Sequence, residues 1–123
     1  MTSLQNAKNI NDKAEQLGEK YVDKGITSSQ IRKIYSSIKK AQNEYKFEND
    51  EESAKKTLTM IKPHLAYAAS RDDSGGMEEF MEDISQIIDD TVDGGNDLNS
   101  FFDLMEAIVA YHNYYDDKKG GRY

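Results

Sequence analysis

The sequence contains no cysteine, no tryptophan and a single proline, Pro63. Without cysteine the chain can form neither a disulfide, nor a thiolate nucleophile, nor a Cys-ligated zinc site, because the sulfur atoms that chemistry needs are absent. Long apolar runs are missing as well. Leu65 to Ala69 and Ala107 to Tyr111 fall far short of the roughly 20 residues that cross a bilayer. The segment Met1 to Asp12 is polar throughout and has no apolar stretch of the kind that directs secretion. These features predict a cytoplasmic chain with no membrane association. Apolar residues are also scarce, at 37% against a usual share of about 45–50%. The 123 residues fit one domain, and its core should be thin. Either partners cover the remaining apolar surface, or the chain is a lone polar bundle.

What is abundant is charge, and it is unevenly placed. The net charge is −7, yet Met1 to Arg71 carries 13 basic and nine acidic residues, while Asp72 to Tyr123 carries three and 14. The two halves therefore stand at +4 and −11. A molecule of this overall sign repels a polyanion at long range, so any contact with nucleic acid must be local.

Apolar residues recur at helical spacing, which predicts an all-α protein: a single compact bundle of about five helices over residues 1–116, followed by a flexible tail, 117–123. The first helix is expected from Asn9 to Val22, with Ile10, Ala14, Leu17 and Tyr21 on one face. Thr27 or Ser28 can cap a second helix reaching about Phe47, whose inner face carries Ile31, Ile34, Tyr35, Ile38, Ala41 and Tyr45. Arg32, Lys39 and Lys46 then form a stripe along its flank, and Lys33 and Lys40 point away from the core. The third helix places Ala54, Leu58, Ile61 and Leu65 inward, and Pro63 inside it predicts a kink or two shorter pieces. After Ser74, Gly75 and Gly76 comes a fourth helix, apolar on one side and acidic on the other. Gly94 and Gly95 end it, and Asn96 or Asp97 can cap a fifth running to about Tyr115. That last helix is apolar most of the way round, which marks it as central in the bundle or shared with another subunit.

The chemistry of active sites is mostly absent. Asp89 to Ser100 resembles a calcium loop at Asp93, Gly94 and Asp97, but the twelfth position is Ser100, which cannot supply the required bidentate carboxylate. Neither His64 nor His112 has a glutamate three residues before it, so a helical di-iron site lacks its ligand pairs. His112 falls on an apolar face and reads as a core residue. The carboxylates of the fourth helix have no nucleophile, metal cluster or glycine-rich loop beside them. No enzyme, metal or cofactor is expected. The concentrated positive segment is Lys24 to Phe47, with six basic residues and one acidic. It reads either as a solvated helix surface or as a phosphate-binding face.

Three segments in consistent order carry a family resemblance: Thr27 to Tyr35 (TSSQIRKIY), Lys62 to Arg71 (KPHLAYAASR) and Phe101 to His112 (FFDLMEAIVAYH). With the closing Gly120, Gly121 and Arg122, the chain resembles the small subunit of the type III-A CRISPR Csm effector complex, an antiviral ribonucleoprotein. The resemblance implies a non-catalytic five-helix bundle, present in several copies as an inner filament beside the backbone and large subunits. It implies support of guide RNA and target RNA through phosphate contacts without base reading. The RNA-binding role is carried over to Arg32 and Lys33, to Arg71 and to Arg122, with Lys39 and Lys40 extending the same helix. Two readings from other classes stand beside this one. A helical adaptor would bind only protein through its acidic fourth and aromatic fifth helices, and a metal-dependent bundle enzyme would hold stoichiometric metal.

Overall fold

The computed structural model describes residues 6–119, and within them the chain forms five helices and no strand. They are α1 (Ala7–Asp23), α2 (Ser28–Lys46), α3 (Glu51–Ser70), α4 (Gly76–Val92) and α5 (Leu98–Lys118). Each start has a local cause. Asn6, Thr27, Asp50 and Asp97 accept hydrogen bonds from backbone N–H groups in the first turns of α1, α2, α3 and α5, satisfying donors that the helix itself leaves unpaired. Thr27 and Gln30 form a reciprocal capping box. At the end of α1, Gly25 adopts φ +84°, and the N–H groups of Ile26 and Gly25 donate to the carbonyls of Tyr21 and Val22. This is a left-handed closure that glycine enters without steric cost. Asn49, at φ 53°, plays the equivalent part after α2.

Pro63 lies inside one unbroken α3 helix of 20 residues, which rules out two shorter pieces, one of the two expected alternatives. Proline removes the hydrogen bond to the carbonyl four residues earlier, at Thr59. Both Pro63 and Thr59 are exposed, so water can replace the missing donor and the helix continues. At the other end of the chain α5 reaches Lys118, three residues past the expected Tyr115. Tyr111 and Tyr115 of α5 and Lys119, the cap residue just past it, tie this end of the helix to α1. The Tyr111 hydroxyl donates to Asn11 at 2.6 Å, the Tyr115 hydroxyl donates to Glu15 at 2.7 Å, and the Lys119 ammonium pairs with Asp23. The bond to Glu15 raises the Tyr115 phenol to about 12. The remaining tail residues, 120–123, lie outside the described residues.

The core consists of the faces the spacing selects. α5 packs against α1, α2 and α4 and buries Leu98, Phe101, Phe102, Leu104, Met105, Ile108 and His112, so the helix that is apolar most of the way round is the central one. α3 lies between α2 and α4. His112 is fully buried, and its Nε2–H donates to the Ile26 carbonyl at 2.8 Å. That bond ties α5 to the turn between α1 and α2. α1 and α5 approach so closely that a Cβ built on Gly18 would lie 2.6 Å from the Tyr111 Cβ and 2.9 Å from the His112 nitrogen.

Two polar joints bind α4 into this arrangement. The Lys20 ammonium bridges Glu79 at 2.6 Å and Asp83 at 2.9 Å, Lys24 reaches Glu79 at 3.2 Å, and the Tyr21 hydroxyl donates to Asp83 at 2.8 Å. Tyr21 itself is fully buried, packed edge-on against Phe80 at 4.9 Å between ring centroids. Burial first, and the Asp83 charge second, push the Tyr21 phenol far up, so it stays a donor. Partial burial disfavours the Lys20 charge, but Glu79 and Asp83 outweigh it and raise the group. The second joint is Asp72. Gly75 offers no side chain to cap α4, and the Asp72 carboxylate does so instead, accepting from the Met77 N–H at 2.9 Å and from the Ser74 hydroxyl. The Met77 bond leads the causes that hold Asp72 below the usual carboxylate range. The Lys20 contact does the same for Glu79, and the Ser53 N–H for Asp50.

Replacing Gly18 by alanine should lower the unfolding free energy by about 1–3 kcal/mol, the usual range for overpacking, despite a gain of up to about 1 kcal/mol in helix propensity. Thermal denaturation measures it, and a variant more stable than the parent would show that the helices are not in close contact there. The lowered carboxylates generate a pH dependence of definite sign. A carboxyl group that binds its proton less readily when folded contributes stability above its ordinary range and loses it as the pH falls through the folded value. The melting temperature should therefore hold above about pH 5 and fall below about pH 4. Asp72→Asn should melt lower than the parent at pH 7 and lose less on acidification; parallel profiles for the two proteins would remove Asp72 from the account.

Candidate functional site

Helical geometry divides the surface of α2 sharply. Ile31, Ile34, Ile38 and Ala41 are buried, while Ser29, Arg32, Lys33, Ser36, Lys39, Lys40, Asn43 and Lys46 are exposed. At 100° per residue the exposed set forms two rows. Arg32, Lys39 and Lys46 lie toward α5, Lys33 and Lys40 lie toward α3, and the short polar Ser36 and Asn43 separate them. The flank of Arg32, Lys39 and Lys46 is the predicted one, whereas Lys33 and Lys40 lean toward α3, with Lys40 in the wall of a groove, and Ser36 and Asn43 take the outermost positions instead.

Among the described residues, the ion pairs use a different set of cations. Lys20 and Lys24 are held by Glu79 and Asp83, Lys62 by Asp89 at 2.6 Å, Lys55 by Glu51, Lys8 by Asp12, and Lys119 by Asp23. Among the described residues, none of Arg32, Lys33, Lys39, Lys40 and Arg71 has a carboxylate partner. Two of them, Lys39 and Arg71, contact aromatic rings instead. The Lys39 ammonium stands 5.8 Å from the Tyr35 ring centroid, and the Arg71 guanidinium 5.5 Å from that of Tyr67. Tyr35 is half-buried between this row and α5; burial first and Glu106 second raise its phenol. The acidic helix α4 thus neutralises lysines of α1 and α3 and leaves the cations of α2 uncompensated.

The structure brings four of the candidate residues, Arg32, Lys33, Lys39 and Lys40, onto one helix surface. Arg71 stands at the C-terminal end of α3 as its cap residue, beside Asp72, whose carboxylate also meets the Gln30 side-chain amide at 3.5 Å. It therefore sits at the end of α2 that carries Lys33. Arg122 lies outside the described residues. Two concave features adjoin these cations. A depression of about 610 Å³ between Gly25, Thr27, Ser28, Ser29, Arg32 and Asp116 opens where α2 begins. A groove of about 360 Å³ runs between α2 and α3, lined by Ser37 and Lys40 on one wall and by Lys56, Thr57, Met60 and His64 on the other.

Lys56 and Tyr67 were not singled out from sequence, although both belong to this surface. Tyr67 is 63% exposed, and the run Lys56, Met60, His64, Tyr67, Arg71 follows steps of four, four, three and four. That period was legible, but the inward stripe of α3 draws attention first. The segment resembling a calcium loop has other tasks. Asp89 pairs with Lys62, and Asp97 caps α5. Among the described residues no group of three or more His, Asp or Glu side chains is placed to hold a metal ion, and no helix is long and apolar enough to cross a membrane.

Comparison with known proteins adds one match. The family model described as Csm2 Type III-A matches residues 4–118. No curated protein and no solved structure matches the chain.

Proposed function

Because the chain belongs to the Csm2 Type III-A family, the small subunit of the type III-A CRISPR Csm effector complex, we propose that copies of it align as an inner filament supporting guide and target RNA. The supporting contacts are to phosphates, from Arg32, Lys33, Lys39, Lys40 and Arg71, with Arg122 of the tail as a further donor. The observation that carries this reading is the set of exposed cations without carboxylate partners, concentrated on the outer surface of α2 in an otherwise acidic molecule. A cation already paired inside its own chain gains little from a phosphate; an unpaired one releases the phosphate counterion.

Phosphate contacts from rigid helix positions hold a strand without reading its bases. Such contacts need no nucleophile, metal or general base, so the subunit acts by positioning and not by catalysis. If each copy neutralises about two phosphates, the salt exponent for a single strand is about −1.4, or roughly a sevenfold loss of affinity for a fourfold rise in salt. One copy therefore binds weakly, whereas copies fixed side by side turn successive contacts into intramolecular ones and sum them. The segment expected as a tail, residues 117–123, begins within the last turn of α5. Of the aromatic residues of α5, Phe101 and Phe102 are buried while Tyr114 stays 53% exposed, so the adaptor reading keeps only the C-terminal part of its aromatic surface. The backbone and large subunits of the complex remain the protein partners of this proposal, together with further copies of the chain.

The double variant Arg32→Glu with Lys39→Glu tests the reading. Both side chains are exposed and unpaired, so the isolated chain should melt within a few degrees of the parent, as surface substitutions do. Target RNA affinity of the assembled complex should fall at least about tenfold at moderate salt, and its salt dependence should flatten. An RNA affinity equal to that of the parent complex would remove this face of α2 from the RNA path.

A further inference from the structure

The groove between α2 and α3 has the composition of a strand-binding seat and not only of a phosphate track. The two helices run antiparallel, as the contact of the Thr57 hydroxyl with Glu44 at one end and of Gln30 with Asp72 at the other shows. Lys40 stands on one wall and Lys56, Met60 and His64 on the other; Lys33 lies two turns before Lys40 on the same row of α2, and Tyr67 and Arg71 continue the stripe of α3 beyond His64. Lys56, like Lys33 and Lys40, has no carboxylate partner among the described residues. The acids at its two ends, Glu44 and Asp72, accept from the Thr57 hydroxyl at 2.6 Å and from the Gln30 amide at 3.5 Å.

Between the cations stands apolar surface that the fold leaves uncovered. Met60 is 55% exposed and Tyr67 63%, one on each side of His64. The Arg71 guanidinium lies over the Tyr67 ring, and Tyr67 nevertheless remains mostly exposed. A large aromatic group held in this way, between lysines that no acid neutralises, fits a flat heterocycle flanked by negative charge. Single-stranded nucleic acid supplies both: every base has a face that stacks on an aromatic ring, and phosphates stand on either side of it. An arginine next to the ring adds its own stacking and phosphate geometry.

We propose that this groove seats unpaired RNA, with Tyr67 stacking on one exposed base and Lys33, Lys40, Lys56 and Arg71 holding the neighbouring phosphates. The proposal rests on the reading of the chain as an RNA-contacting subunit. It goes further by assigning base stacking to one residue and by adding Lys56 to the binding surface. Stacking of this kind is tolerant of sequence, because any base can occupy the ring face.

The experiment compares the assembled complex carrying Tyr67→Ala, Tyr67→Phe, or Lys33→Glu with Lys40→Glu. Each is titrated with target RNA across a series of salt concentrations. Loss of the ring should weaken binding on the order of tenfold, by the same factor at every salt concentration, because stacking releases no counterions. Tyr67→Phe should bind like the parent. The lysine variant should bind more weakly and with a shallower salt slope. A Tyr67→Ala complex that binds RNA like the parent, while the lysine variant is impaired, would overturn the stacking proposal and leave the phosphate reading intact. If neither variant changes RNA binding, both readings of this groove fail. If Tyr67→Ala instead releases a protein subunit during purification, the ring is a protein contact and the proposal is overturned in favour of that partner.

Discussion

The close approach of α1 to α5 at Gly18 constrains the rest of the fold. With no side chain at that position the two helices meet almost backbone to backbone, and the polar stripe of Tyr111, Tyr115 and Lys119 can reach across to Asn11, Glu15 and Asp23. Once α1 is set on α5, the turn after α1 falls over His112, whose Nε2–H takes up the Ile26 carbonyl. That contact fixes where α2 begins. α2 then covers the side of α5 opposite to its own charged surface, and α3 and α4 complete the layer.

From this packing follows a division of charge. α4 lies where its carboxylates meet lysines of α1 and α3, and those pairs neutralise one another across the seams. The pairs are half-exposed and individually weak; their larger effect is on what remains. α2 packs its apolar face on α3 and α5, and among the described residues none of its cations enters an ion pair, so they stay available to something outside the chain. A molecule with a net charge of −7 can thereby present a local cationic surface, while its overall field keeps a lone copy from binding polyanions indiscriminately. On the proposed function, a subunit that supports RNA only when lined up with its copies gains from that balance.

Much of this was readable before any tertiary contact was known. The buried faces of α1 and α2, the cap at Thr27 and the core position of His112 follow from spacing and side-chain chemistry, because helix periodicity is a local property. The outcome at Pro63 did not follow. Whether a proline splits a helix depends on whether water or protein can satisfy the orphaned carbonyl, and only the exposure of Thr59 decides that. The end of α5 was likewise set by partners about 100 residues earlier in the chain.

The candidate surface divides along the same line. By itself the sequence determined that Arg32, Lys33, Lys39 and Lys40 project from the outer side of one helix, since their angular positions depend only on the helical repeat. It also determined the family, through three short segments in order. Tertiary structure alone decided that these cations are unpaired and that Lys56, Met60 and Tyr67 of α3 face them across a groove. Pairing and juxtaposition are relations between helices, and the repeat within a helix holds no information about its neighbour.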